Sequence, residues 1–230
     1  MSRAAPKKSA ERRLRRLHDR LFAAYGEQHW WPAQTSFEVI LGAYLTQNTS
    51  WKAVERALEN LRAAGVLNLD GLRALPLEEL RRLIQPAGFY ARKAPSLKAF
   101  LWLLDESYGG SLEAMAAAPT TALRKQLLDL PGVGPETADA ILLYALGHAV
   151  PMADEYLRRI VERHGLRTRT SKNIGYEELT DLTRAAFAGD PEEAKARLYN
   201  EFHALSVAVG KAHCGRTANC QGCPLAFDLA

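Results

Sequence analysis

The 230-residue chain has no apolar run near the roughly 18 residues that a bilayer-spanning helix needs. Its first twenty residues lack the apolar centre of a secretory signal. They are basic and broken by charge, so a cytoplasmic protein is expected. Alternation of apolar and polar residues at period two is missing outside the short stretch Val150–Ala153, which excludes a fold built on half-buried strands. There is no internal repeat, and no low-complexity segment beyond the basic N-terminus. Cysteine is scarce, at three, and all three stand near the end: Cys214, Cys220 and Cys223. That clustering, in a chain read as cytoplasmic, points to a metal site over a disulfide framework.

What is present is helical periodicity. Apolar residues recur at spacings of three and four through Leu14–Tyr25, Phe37–Leu45, Ala53–Leu61, Leu69–Leu75, Leu77–Ile84, Ala94–Leu104, Leu112–Ala118 and Thr121–Leu128. The pattern returns in Glu155–Arg163, Tyr176–Ala188 and Pro191–Val209, with Gly and Pro as separators. The chain is therefore expected to be all-α, and it is long enough for one large core or two modest ones. Hydrophobic residues at 47% and charged residues at 24% suit an ordinary globular protein. The net charge of +4 permits nucleic-acid binding without requiring it. Arg3, Lys7, Lys8, Arg12, Arg13, Arg15, Arg16 and Arg20 crowd the N-terminus. They read either as the solvated face of a first helix or as an arm that touches phosphates.

The run Leu130-Pro131-Gly132-Val133-Gly134-Pro135-Glu136-Thr137 carries the most information. Two glycines around one small apolar residue make a tight turn that opens into a helix, and an apolar helix precedes it. Consecutive backbone N–H groups at such a turn suit a phosphate oxygen. This is a helix-hairpin-helix pattern, over about 123–146, which grips a nucleic-acid backbone through Gly132, Val133 and Gly134 without reading sequence. A short extended link, Val150-Pro151-Met152-Ala153, follows it and ends in Asp154 at a new helix start. Asp there is a favourable N-cap on its own account.

The order of hairpin, link and Asp resembles the helix-hairpin-helix DNA glycosylases of the endonuclease III superfamily, over about residues 30–225. The resemblance implies two helical domains flanking a DNA cleft. One is a helical barrel over 36–144 that carries the hairpin; the other joins 1–35 to 145–230. It implies that Asp154 is the catalytic carboxylate, which would stabilise the oxocarbenium-like sugar and orient or deprotonate water. Relatives that also cut the strand carry a lysine two residues after the second glycine. That amine forms a Schiff base with the sugar. Here the residue is Glu136, so the implied enzyme is monofunctional. Glu136 itself reads as a first-turn acid favoured by the helix dipole, or as a contact to the flipped base.

Further positions follow from the same resemblance. Gln47 matches a Gln that enters the duplex where the target base has left. Phe89, in Gly88-Phe89-Tyr90-Ala91-Arg92-Lys93-Ala94, matches an apolar wedge, with Arg92 and Lys93 for phosphates; the alternative is a core aromatic. Trp30, Trp31 and Tyr44 read as a stacking pocket for an electron-poor base, or as packing at the domain junction. That doubled Trp looks more like the 3-methyladenine glycosylase branch than the pyrimidine-specific one. Many relatives hold a [4Fe–4S] cluster through C-x6-C-x2-C-x5-C. Here the first gap is one residue short, and the fourth position falls at Leu229. Cys214, Cys220 and Cys223 would need a different fourth ligand, with Asp228 and His213 nearest; zinc is the other metal such a set suits. The expected protein is a monomeric, nucleoid-associated glycosylase that acts on a damaged base in double-stranded DNA. An alkylated purine is the first substrate and an oxidised pyrimidine the second. An endonuclease III-type enzyme with lyase activity and a non-catalytic damage binder are the alternatives.

Overall fold

The computed structural model describes residues 7–28, 33–167 and 174–229. The described residues are helical, with no strand and one isolated bridge, Cys214 to Ala218. The helices are α1 (Lys7–Tyr25), α2 (Ser36–Leu45), α3 (Trp51–Ala63), α4 (Leu69–Ala74), α5 (Leu77–Leu83) and α6 (Tyr90–Tyr108). They continue with α7 (Leu112–Ala116), α8 (Thr120–Leu128), α9 (Pro135–Ala140), α10 (Glu155–Arg163), α11 (Tyr176–Ala186) and α12 (Glu192–Ala212). None is long and apolar enough to cross a membrane. Two compact units emerge, one within Met1–Trp30 plus Ala149–Ala230 and one within Trp31–His148.

The Trp31–His148 unit is organised by α2. Phe37 through Leu45 are all buried, so this helix is apolar on every side and sits among α3, α6 and α9. Its start is fixed by the Thr35 side chain, which accepts from the Glu38 N–H. Helix α6 runs four residues beyond each end of its apolar pattern, straight through Pro95. The proline costs one i→i−4 bond, to Ala91, an exposed residue, and its fixed φ suits the helix. Helix α9 continues into a π-helical segment, Ile141–Ala145, whose residues 141–143 are buried.

The other unit is held by long apolar contacts. Leu14, Leu17 and Leu21 make a buried stripe on α1 that packs on α11 and α12. Helix α12 also packs on α10. A Cβ at Gly210 of α12 would stand 2.2 Å from Cδ1 of Tyr156, so only glycine admits the first turn of α10 at this distance. The link before α10 forms no strand; it passes buried residues Val150, Met152 and Ala153 to the helix start.

Candidate functional site

In the Trp31–His148 unit, α8 and α9 form the two arms of the hairpin. Arg124 of α8 donates to both carboxylate oxygens of Asp139, at 2.6 and 3.0 Å, and Asp139 is buried. In the turn, Gly132 has φ +78, and a Cβ there would lie 2.7 Å from the Ser96 hydroxyl oxygen, so both conformation and space demand glycine. Gly134 caps α9 with φ −97, and a Cβ on it would meet nothing within 4 Å. Pro131, Gly132, Gly134, Pro135 and Glu136 are exposed, while Val133 is buried and anchors the turn. The exposed backbone at an exposed helix start is the geometry that a phosphate contact requires.

Two loops accompany the hairpin. The Gln47 amide donates to the Gly132 carbonyl at 3.0 Å and to the Thr137 hydroxyl at 2.9 Å, so it braces the hairpin from within the protein. Asn48 beside it is exposed with φ +52. In the second loop Phe89 has φ +47 and is 61% exposed, which removes the core-aromatic alternative. A bulky residue held in the left-handed region is strained by about 1 kcal/mol or more. Arg92 is exposed. Lys93 corrects the sequence expectation. It is 3% exposed, and its ammonium donates to the carbonyls of Leu45 and Ala87 at 2.7 and 2.9 Å. Burial pulls its pKa down. Lys93 therefore touches no phosphate; it ties the end of α2 to the turn before Phe89. Its place on the inward face of α6, one position past exposed Arg92, is the reason.

Of the two readings of Tyr44, pocket or packing, its burial favours packing. Tyr44 is buried to 1% and edge-on to Phe100, with 6.1 Å between ring centres, so it belongs to the core around α2 and not to an open base pocket. Its hydroxyl has no hydrogen-bond partner among the described residues, and burial raises its pKa. Trp30 and Trp31 lie outside the described residues.

In the other unit, Asp154 caps α10. Its Oδ1 accepts the N–H groups of Tyr156 and Leu157, each at 2.9 Å. Its Oδ2 lies 3.5 Å from Nε2 of His203 on α12, and the two side chains are 14% and 6% exposed. Burial works to raise the carboxyl pKa. The His203 contact and charge, together with the two N–H groups, outweigh it and bring the pKa below the ordinary Asp value. The carboxylate is thus ionised in a nearly dry place, with Oδ1 held by two N–H groups and Oδ2 facing the imidazole at ion-pair distance. Capping and an ionised catalytic carboxylate are compatible in this one side chain.

The cysteines do not form a ligand set. Cys214 is buried, with Arg163 donating to its Sγ at 3.0 Å; Cys220 is exposed and Cys223 half-buried. The three lie near enough for Cys214 and Cys220 to raise the Cys223 thiol, after burial, which raises it most. Yet no group of three or more His, Cys, Asp or Glu side chains among the described residues is placed to hold a metal ion. The proposed fourth ligands are engaged elsewhere. Asp228 accepts from Arg13 at 2.7 and 3.0 Å and faces His164 Nδ1 at 3.0 Å; His213 Nδ1 faces the Asn219 carbonyl at 3.1 Å. The residues present do not fit the four-ligand cluster. Of the basic N-terminal residues, Arg13 and Arg15 are likewise spent on Asp228 and Asp190, while Arg12, Arg16 and Arg20 stay exposed.

Sequence reading missed two residues. Nothing in composition separates a mid-helix His203 from a satisfied core histidine, and its Asp154 contact is long-range. Asn48 directly follows Gln47, and Asn is among the non-glycine residues that most readily take positive φ.

The family model described as "HhH-GPD superfamily base excision DNA repair protein" matches residues 41–185. A Methanocaldococcus jannaschii protein, named provisionally a DNA repair glycosylase, is 40% identical over 211 residues, covering 91% of this chain and 92% of its own. A thymine-DNA glycosylase of Aeropyrum pernix is 26% identical over 216 residues, covering 92% and 91%. Among solved structures, H. pylori 3-methyladenine DNA glycosylase bound to 1,N6-ethenoadenine aligns with a TM-score of 0.73 at 29% identity, covering 90% of this chain and 98% of that one.

Proposed function

Because this chain belongs to the HhH-GPD superfamily of base excision DNA repair proteins, we propose that it is a monofunctional DNA glycosylase. It acts as a monomer on duplex DNA, flips out a damaged base, hydrolyses its N-glycosidic bond and leaves the abasic strand uncut. One observation carries the reading. The hairpin presents exposed Pro135 and Glu136 where strand-cutting relatives present an amine. A carboxylate forms no imine with the sugar.

The chemistry then rests on Asp154. As the glycosidic bond breaks, its electron pair leaves with the base and positive charge grows on the sugar. The ionised carboxylate stabilises that charge. Water adds its oxygen to the anomeric carbon and Asp154 takes the released proton; a ring-alkylated cationic base leaves neutral, whereas a neutral lesion leaves as an anion and is protonated in turn. The hairpin turn supplies the backbone grip, and Phe89 fills the stack during flipping. No step runs through the cysteines.

An alkylated or etheno-modified purine is the first substrate class. Support comes from the H. pylori 3-methyladenine glycosylase, whose own ligand in the aligned structure is 1,N6-ethenoadenine. Endonuclease III among the relatives supports an oxidised pyrimidine as the second class. The test is free base released from duplexes carrying one lesion each, for wild type and Asp154→Asn. The substitution is expected to cut release by at least about 100-fold while duplex binding stays near wild type. Release that survives the substitution overturns the assignment of Asp154.

A further inference from the structure

Asp154 is gripped from two directions, and only one of them belongs to its own helix. The first-turn N–H groups of α10 take Oδ1, as in any capped helix. Oδ2 faces α12, where Nε2 of His203 stands 3.5 Å away, an ion-pair distance longer than an ordinary hydrogen bond. His203 and Gly210 are seven residues apart, two turns along one face of α12. Gly210 is where the Tyr156 ring presses closest, so the two contacts form one docking surface between α12 and the start of α10. The glycine sets the approach, and the approach brings the imidazole to the carboxylate.

A further charged group that bears on Asp154, among the described residues, is Glu155 on its own helix. Glu155 is paired with Arg158 and with Arg159, and Arg159 also lies over the Tyr156 ring at 4.9 Å. Those arginines are turned to Glu155, Glu162, Tyr156 and the Cys214 carbonyl, and among the described residues His203 is the cross-helix group that faces Oδ2. In both the neutral Nε2–H tautomer and the imidazolium, Nε2 carries a proton that can face that oxygen.

We propose that His203 is a positioning residue for Asp154: it fixes Oδ2 from α12, so the carboxylate meets the developing sugar cation with a set orientation. The inference rests on the reading of Asp154 as the catalytic carboxylate. A preorganised charge stabilises a transition state without reorganising as the reaction proceeds, and a freely rotating carboxylate does not. The same contact favours the ionised form, in keeping with the direction of the Asp154 pKa.

The test uses the whole chain and two duplex probes, one with a cationic pyrrolidine abasic-site analogue and one with a neutral tetrahydrofuran abasic site. The ratio of the two affinities reads the carboxylate's charge and aim and does not depend on which lesion is excised. Wild type should favour the cation. His203→Phe should lower the ratio by about 10- to 100-fold, the scale of cost for a misplaced reacting group. It should also move the acid midpoint of the ratio to higher pH, with neutral-probe binding unchanged. His203→Gln, which carries an N–H near the Nε2 position, should recover most of the ratio. Should His203→Phe fail to give the wild-type circular dichroism spectrum, the smaller His203→Leu replaces it. A wild-type ratio and midpoint in the apolar variant overturn the inference, provided that Asp154→Asn abolishes the cation preference. If Asp154→Asn keeps that preference, the reading of Asp154 falls instead.

Discussion

Individual residues divide by what holds their side chains. Asp154 is held at Oδ1 by two backbone N–H groups and faces His203 with Oδ2, and Lys93 is fixed through two carbonyls. Phe89 is held mainly through its backbone, at a conformational cost, with its ring largely in solvent and the Lys93 ammonium 6.0 Å from the ring centre. That contrast yields a prediction with opposite signs. Phe89→Gly removes the left-handed strain, so the protein should be as stable as wild type or up to about 1 kcal/mol more stable. Base release should nevertheless fall by about 10-fold, because nothing offsets the unstacking of the flipped base. Chemical denaturation and single-turnover base release, run on the same preparation, check both halves. A clear loss of stability with unchanged release would make Phe89 a packing residue.

Helices and loops show where sequence reading succeeds. The all-α class and the helix positions were legible because apolar spacing reports burial directly, as on α1 and α2. The hairpin was legible because a glycine at positive φ, tight against Ser96, leaves a signature in the residue type. Lys93 was misread because Arg92 and Lys93 are adjacent and chemically alike, yet one helix step turns the first outward and the second inward. Tyr44 stayed between pocket and packing because an aromatic in an apolar run does not show in sequence whether its face is open; here every side of its helix is buried. The bond from Lys93 to Leu45 and Ala87 makes a further prediction. Lys93→Met strands two buried carbonyls and should cost about 1–3 kcal/mol in a urea titration. It should also loosen both loops together, seen as faster amide exchange at Gln47–Asn48 and Gly88–Phe89. Exchange rising at one loop only would contradict the tie.

For the molecule as a whole, the C-terminal segment is pinned by charge. Asp228 is shared by Arg13 and Arg16 of α1 and by His164, the Arg13 bond to the His164 carbonyl reinforces it, and the side chain of Asp228 is 4% exposed. Burial works to raise the Asp228 pKa, but Arg13 and His164 hold it below the usual range. A depressed carboxyl contributes stability that is complete above its unfolded value, about 3.9, and lost as pH falls through the folded value. Asp228→Asn should therefore destabilise the protein by about 1–3 kcal/mol at pH 7, with Arg13 partly exposed. The gap from wild type should shrink once the pH drops below about 4, where wild type also loses the charge. A gap that stays constant from pH 7 to pH 3 would mean that the carboxylate's charge is not what holds the segment. The cysteines beside it were read from their spacing, and spacing could not show that Asp228 was already committed to Arg13 across 215 positions of sequence.

The central claim is that this chain breaks the glycosidic bond and stops there. Its most direct test is strand cleavage of a duplex carrying 1,N6-ethenoadenine or an oxidised pyrimidine, scored with and without hot alkali after incubation with the enzyme. The account predicts breaks at the lesion only after alkali, and no covalent protein–DNA adduct on borohydride treatment. Breaks without alkali, with an adduct trapped by borohydride, would contradict it and would mean that an amine on this chain attacks the sugar despite Glu136.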